Sequence, residues 1–257
     1  RVTPLALAHR READAHQAAR RLACVDVAEV SLAGRLTRSL SLYRMLHILT
    51  AADLDLAARW RGAAVYQSLA APLGVNEKNE VVYLDLHEKQ DGPHGLVAGT
   101  TGSGKSEMLQ TYILSMATLF HPHEVGFVLI DFKGGGMANQ LQRLPHLMGS
   151  ITNMDGREIE RSLMSIRAEL RKRQACFAQA GVNHIDAYIR KYKNGEVAVP
   201  LPHLVLVVDE FAELKNDFPE FMKELVSAAR IGRSLGVHLI LATQKPTGVV
   251  DGQIWSN

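Results

Sequence analysis

The stretch "VAGTTGSGKSE", residues 97 to 107, constrains this chain more than any other, because it matches G-x-x-x-x-G-K-[ST] through Gly99, Gly104, Lys105 and Ser106. The motif has meaning only between a strand and a helix. Gly95 to Ala98 reads as the strand, and Met108, Leu109, Ile113, Met116 and Phe120 recur near helical spacing after it. Glycines at 99, 102 and 104 let the backbone fold into a nest whose N–H groups face phosphate oxygens, and the helix adds its positive N-terminal end. Thr100, Thr101 and Ser103 complete the loop. Lys105 supplies a mobile cation for the β- and γ-phosphates, and the Ser106 hydroxyl offers a coordination position on Mg²⁺. The expected ligands are therefore ATP and Mg²⁺.

The rest of the chain supports that context. Short apolar runs at Val125 to Ile130, Leu204 to Val208 and Val237 to Ala242, like Gly95 to Ala98, read as strands buried on both faces and separated by helices. Such alternation predicts an α/β fold with a parallel sheet and ligands bound beyond the carboxyl ends of its strands. Four of those ends carry polar signatures: "GTTGSGKS", "DFKGGG", "DE" and "TQKP".

"HLVLVVDEFAEL" places Asp209 and Glu210 directly after a strand. Asp209 is assigned to the second shell of Mg²⁺, making up the metal site with Ser106, and Glu210 to accepting a proton from the water that attacks the γ-phosphate. The alternative for both is an acidic helix N-terminus favoured by the dipole. Gln244, after the last strand, is a candidate sensor of the γ-phosphate or of that water; a plain strand-end polar residue is the alternative. The three glycines of "DFKGGGMA", 131 to 138, read as a turn or as a loop that moves against a neighbouring subunit or a threaded substrate. From about Gly156 to Ala180 a helix separates Ile159, Leu163, Ile166, Leu170 and Phe177 from Arg157, Arg161, Arg167, Arg171 and Lys172, so the basic face meets solvent or an anionic partner.

Composition bounds the remaining choices. With 29 Lys+Arg against 27 Asp+Glu the net charge is +2, leaving little for the phosphate contacts of a DNA binder. Cys24 and Cys176 are far apart, which suits a reducing compartment and offers no zinc site, and the eleven histidines have no metal-ligating spacing. No apolar run approaches a bilayer span, and no signal peptide is visible. Residues 4 to 23, Leu40 to Leu49 and "TAADLDLAARW", with Thr50 as a cap, read as helices. Two segments are expected: a helical N-terminal or linker segment over 1–65 and the nucleotide-binding domain over 66–257. The start at Arg1 and the end at "DGQIWSN" are those expected of a piece of a longer protein that lacks a final core strand.

Together "HGLVAGTTGSGKSE", "LIDFKGGGMA", "PHLVLVVDEFAELK" and "RIGRSLGVHLILATQKP" resemble the FtsK/SpoIIIE branch of the P-loop ATPases. "LYRML" through "DLDLAARW" and "VYLDLHEKQDGPHG" narrow the resemblance to the EssC/EccC coupling ATPases of type VII secretion, and to the first of their tandem ATPase domains. The resemblance covers roughly residues 40 to 257. It implies a RecA-like core, ATP hydrolysis between subunits of a self-assembled ring, expected to be a hexamer, and export of small helical proteins. It also implies further ATPase domains in the same longer chain, other secretion-system membrane components as partners, and anchoring at the cytoplasmic face of the bacterial membrane. Carried over by position, Lys105, Ser106, Asp209 and Glu210 match the nucleotide motifs, Gln244 the sensor, and Arg233 the arginine finger, with Arg230, Arg171 and Arg173 as alternatives. Three readings stand at this point: a secretion motor, a DNA translocase of the same fold, and a nucleotide-binding regulatory module.

Overall fold

Residues 40–131, 136–152 and 156–244 are described by the computed structural model. The expected helix over 4 to 23, Cys24, the "FKGG" portion of the glycine loop and everything after Gln244, including the site of a closing strand, lie outside the described residues. The chain divides into two compact units, residues 1–39 with 75–80 and residues 40–74 with 81–257. The described part of the first unit is a turn in which Asn76 Oδ1 accepts the backbone N–H groups of Lys78 (2.9 Å) and Glu80 (3.0 Å).

The second unit begins with short helices. Helix α1 is Leu42–Met45, capped by Ser41. The helix expected over "TAADLDLAARW" is divided: Thr50 and Asp53 form a capping box on a 3-10 turn, Ala51–Leu54, and Asp55 at φ 35° then breaks the run before α2, Leu56–Gly62. A left-handed residue cannot continue a right-handed helix, so Asp55 ends one turn and caps the next. Trp60 of α2 donates its indole N–H to Ala117 O (3.1 Å).

Strands β1, Ala70–Val75, and β2, Val81–Asp85, form a two-stranded sheet. The main sheet has five parallel strands in the order β3-β7-β6-β4-β5. These are β3, Gly95–Ala98; β4, Val125–Asp131; β5, Leu147–Ile151; β6, His203–Asp209; and β7, Val237–Thr243. Every residue of β6 and β7 is buried, as continuous β-branched and aliphatic runs require when helices cover both faces. Strand β3 differs from its expected burial on both faces, since Leu96 and Ala98 are exposed; among the described residues β3 ends the sheet and has one strand neighbour. At the other end, β5 also alternates in burial.

The connecting helices are α3, Lys105–Leu119; α4, Gly136–Leu141; α5, Gly156–Ala180; α6, Ile185–Lys193; α7, Phe211–Asp217; and α8, Pro219–Gly232. On α5 the apolar stripe is turned inward as its period dictates, with Ile159, Leu170 and Phe177 buried and Arg157, Arg161, Arg167, Arg171 and Lys172 exposed. Arg167 pairs with Glu224 of α8 (2.8 Å). Arg173 departs from that basic face and is wholly buried. No described helix is long and apolar enough to cross a membrane.

Candidate nucleotide site

The parallel sheet gathers its polar tips on one edge. Residues 99 to 106 follow β3, Asp131 ends β4, Asp209 ends β6 with Glu210 next, and Gln244 follows β7. Strand β7 lies between β3 and β6, so the sensor candidate stands between the phosphate loop and the carboxylates.

Loop geometry follows from its glycines. Gly102 (φ 79°) and Gly104 (φ 90°) occupy the left-handed region, which a side chain disfavours. A Cβ at either position would meet no atom within 4 Å, so the backbone rings open space. Gly104 caps α3 without a side-chain hydrogen bond, leaving first-turn N–H groups for an anion. Gly99 N–H donates to Thr243 O (3.1 Å) and Ser103 N–H to Thr100 O (3.1 Å), joining the loop to β7 and closing it on itself. This donor cradle fits a polyphosphate. The Ser106 hydroxyl and the Asp209 carboxylate are hard oxygen donors of the type Mg²⁺ takes.

Lys105 Nζ is ion-paired with Asp209 Oδ1, and both side chains are largely buried. The pair neutralises a cation and an anion that would otherwise be desolvated at the loop. Glu210, 3% exposed, adopts φ 59° and ψ 53°, a conformation that is uncommon for a residue with a Cβ and recurs at functional sites. Its Oε1 accepts the Thr243 hydroxyl (2.9 Å) and the Gln244 backbone N–H (3.1 Å). The Gln244 side-chain oxygen accepts the Thr101 hydroxyl (2.9 Å). Chemically the edge offers donors for phosphate, an ammonium, a carboxylate of the kind Mg²⁺ takes and a second carboxylate held by two hydrogen bonds.

Two residues join this edge that the sequence reading did not select as site residues. Asp131 pairs in register with Asp209 across β4 and β6, is 3% exposed, and accepts the Met137 N–H at the start of α4 (3.1 Å). Its signal was available, since "VLID" repeats the apolar-run-then-acid pattern of "LVVD". Thr243 is the other, and "LILAT" gives no local sign of it.

Arg233 is placed elsewhere. It follows α8 and precedes β7, at the end of that seven-residue strand opposite Gln244, which a rise of ~3.3 Å per residue puts about 20 Å away. Its side chain is 55% exposed, with Nε 3.9 Å from Glu88 Oε2. Arg230 is also exposed, whereas buried Arg173 donates to Leu235 O (2.7 Å) and to Glu169 Oε1 (3.0 Å). Burial pulls the Arg173 pKa down against the opposing pull of Glu169. Arg173 therefore serves the interior and presents nothing to a neighbouring subunit.

The opposite edge, at the starts of β6 and β7, holds a buried imidazole cluster. His238 Nδ1 lies 2.9 Å from Pro93 O, His238 Nε2 lies 2.9 Å from His203 Nδ1, and His87 Nε2 lies 3.2 Å from Asp186 Oδ2. Among the described residues no group of three or more His, Cys, Asp or Glu is arranged to hold a metal. A cavity of about 390 Å³ between the sheet and α5, lined by Val128, Met148, Ile166 and Leu206 among others, includes no phosphate-loop residue and neither Asp209 nor Glu210.

A glycine-ringed cradle after the edge strand of a five-stranded parallel sheet, with a lysine and acidic strand tips around it, defines a P-loop nucleotide-binding domain of RecA-like fold. The model for the FtsK/SpoIIIE family matches residues 57–248, and the chain belongs to that family. It is 57% identical over 244 residues to the type VII secretion system protein EssC of Staphylococcus aureus strain Mu50, covering 95% of this chain and 16% of that protein. It is 52% identical over 256 residues to the ESX secretion system protein YukB of Bacillus subtilis strain 168, covering 99% of this chain and 17% of that one. The chain thus spans about one sixth of the length of these relatives. Among solved structures, the cytoplasmic domain of the Thermomonospora curvata type VII secretion ATPase EccC superposes with a TM-score of 0.75 at 36% identity, covering 81% of this chain and 25% of that one. A structure of ATPases 2 and 3 of the same EccC with a signal sequence peptide gives 0.65 at 30% identity, covering 73% and 34%.

Proposed function

We propose that this domain is an ATP-hydrolysing motor unit of a type VII secretion system, coupling nucleotide binding and hydrolysis to export of small helical proteins. The observation that carries the reading is the convergence of the 99–106 loop, Lys105, Asp209, Glu210 and Gln244 on one sheet edge in a chain 57% identical to EssC. In this reading the loop N–H groups and Lys105 hold the phosphates, while Ser106 and Asp209 hold Mg²⁺, which when bound supplies charge neutralisation at the phosphates. Lys105 must exchange Asp209 for phosphate oxygens on loading, which frees the carboxylate for the metal. Glu210 takes the proton of the attacking water, and Gln244, tied to Thr101, reports the γ-phosphate to the loop.

Arg233 is assigned to the site of the next subunit. It is exposed and at the wrong end of the sheet for its own chain's phosphates, so it can act only in trans. The isolated domain is accordingly expected to turn over slowly, since such a finger is worth about 10³ to 10⁵ in rate. A ring, taken as a hexamer, is the corresponding assembly, with other secretion-system membrane components as partners and further ATPase domains in the same chain. The higher identity to the whole EccC cytoplasmic domain than to ATPases 2 and 3 supports placing this domain first among them. Anchoring at the cytoplasmic face of the membrane would come from segments elsewhere in the longer protein.

The runner-up is a DNA translocase, favoured only by the family's breadth and opposed by the net charge of +2. The test is ATP hydrolysis by the full cytoplasmic region containing this domain, with duplex DNA and with a small helical secretion substrate at matched salt. Stimulation by the protein and indifference to DNA are expected, with activity lost in Lys105→Ala. Stimulation that grows with DNA length, and none by the protein, would overturn the secretion reading.

A further inference from the structure

The Glu210 carboxylate is held by groups outside both nucleotide motifs. Thr243, the last residue of β7, is fully buried and directs its hydroxyl to Glu210 Oε1 at 2.9 Å. The next peptide N–H, that of Gln244, reaches the same oxygen at 3.1 Å. On its backbone side Thr243 accepts the N–H of Gly99, the first glycine of the phosphate loop, at 3.1 Å. One residue therefore touches the phosphate loop through its carbonyl and the acidic tip through its hydroxyl.

We propose that Thr243 is a positioning residue for Glu210, fixing the orientation of the carboxylate that receives the proton of the attacking water. The proposal rests on reading Glu210 as the proton acceptor. In the step it serves, the water oxygen bonds to the γ-phosphorus, the bond to the β–γ bridging oxygen breaks with its electron pair departing on ADP, and the proton passes to Glu210. A carboxylate on a flexible stem can rotate about its terminal bonds, so the acceptor direction is set only if something holds one oxygen. Two donors converging on Oε1 do that. Thr243 is suited to the task because its β-branch restricts χ1 and its backbone is paired into β7 beside β3. The left-handed backbone at Glu210 serves the same end, turning its side chain toward the tip of β7.

Steady-state kinetics and nucleotide calorimetry on the assembled enzyme test this with Thr243→Val, which removes the hydroxyl and keeps the shape, and Thr243→Ser, which keeps the hydroxyl. Thr243→Val should lower kcat about tenfold or more while KM and ATP affinity stay within about twofold, and Thr243→Ser should recover most of the loss. Melting of the nucleotide-free protein supplies an independent readout: Thr243→Val and Glu210→Ala together should cost less than the two costs added, because each alone already breaks the hydrogen bond between them. Unchanged or raised kcat in Thr243→Val, equal losses in the Val and Ser variants, or additive melting costs would each overturn the proposal. Unchanged turnover in Glu210→Gln would instead remove the base assignment and this role with it, whereas full activity of Thr243→Val beside an inactive Glu210→Gln would remove only the positioning role.

Discussion

His238, the second residue of β7, should make folding sensitive to mild acid. Its Nδ1 must carry hydrogen to donate to Pro93 O at 2.9 Å, which leaves Nε2 as the acceptor for His203 Nδ1–H at 2.9 Å, so the His238 ring is neutral in the folded chain. Burial is the main cause that pushes the His238 pKa down from 6.5 to about 4; the Pro93 bond opposes it, and His94, Arg173 and His87 add to the depression. His203, facing Asp186 at 3.9 Å and close to Arg173, His87 and His184, is lowered in the same direction by burial first and by His238 next. A base with a depressed folded pKa binds fewer protons folded than unfolded, so its stabilisation is complete above the unfolded value of 6.5 and is lost as pH falls toward about 4. For His238 alone the loss is about 2 kcal/mol by pH ~5 and approaches ~3 kcal/mol at full titration. In a domain of this size 2 kcal/mol lowers Tm by roughly 4–8 °C. Melting curves at about pH 7.5 and about pH 5, for the parent chain and for His238→Asn, which keeps a donor near Pro93 O and cannot titrate, isolate this contribution. The Asn variant should start lower and lose less. Equal losses in the two chains would refute the buried-neutral account.

Two further pairs of substitutions follow from the packing. Arg173→Ala should destabilise by about 2–4 kcal/mol in denaturant unfolding, since it leaves Leu235 O without its donor and empties a wholly buried site, whereas exposed Arg233→Ala should leave the unfolding midpoint within about 0.5 kcal/mol while reducing turnover of the assembled ring. Gly232→Ala would bring a Cβ to 2.6 Å from Val237 Cβ on a buried strand, a cost of about 1–3 kcal/mol that exceeds the helix-propensity gain, read as a lowered Tm. Gly126→Ala meets only the thioether end of half-exposed Met148 and a backbone oxygen at 3.6 Å, so the methionine can swing aside and the melting loss should stay below about 1 kcal/mol.

What the sequence made legible was whatever short-range pattern specifies. The phosphate loop, α3 and the buried runs of β4, β6 and β7 lie where their residues put them, each strand reaching its final acid or threonine because the parallel ladder continues that far. Strands β1 and β5 were not visible, since Pro72 and Gly74 interrupt one and Gly149 the other, and short or edge strands tolerate such breakers. The exposure of β3 could not be read from "GLVA", because it depends on which strand ends the sheet. Arg173 sits on a helix whose other basic residues named above face outward, and Leu235 O, 62 positions away, gives it a partner from outside that helix. The candidate site divides along the same line. Asp209 and Glu210 announce themselves as acids after an apolar run, but the hydroxyl that orients Glu210 comes from 33 residues further on and reaches it because β6 and β7 pair in parallel register. A motif names the groups that can perform chemistry, while the groups that aim them are supplied by neighbouring strands, and those neighbours are a property of the sheet order.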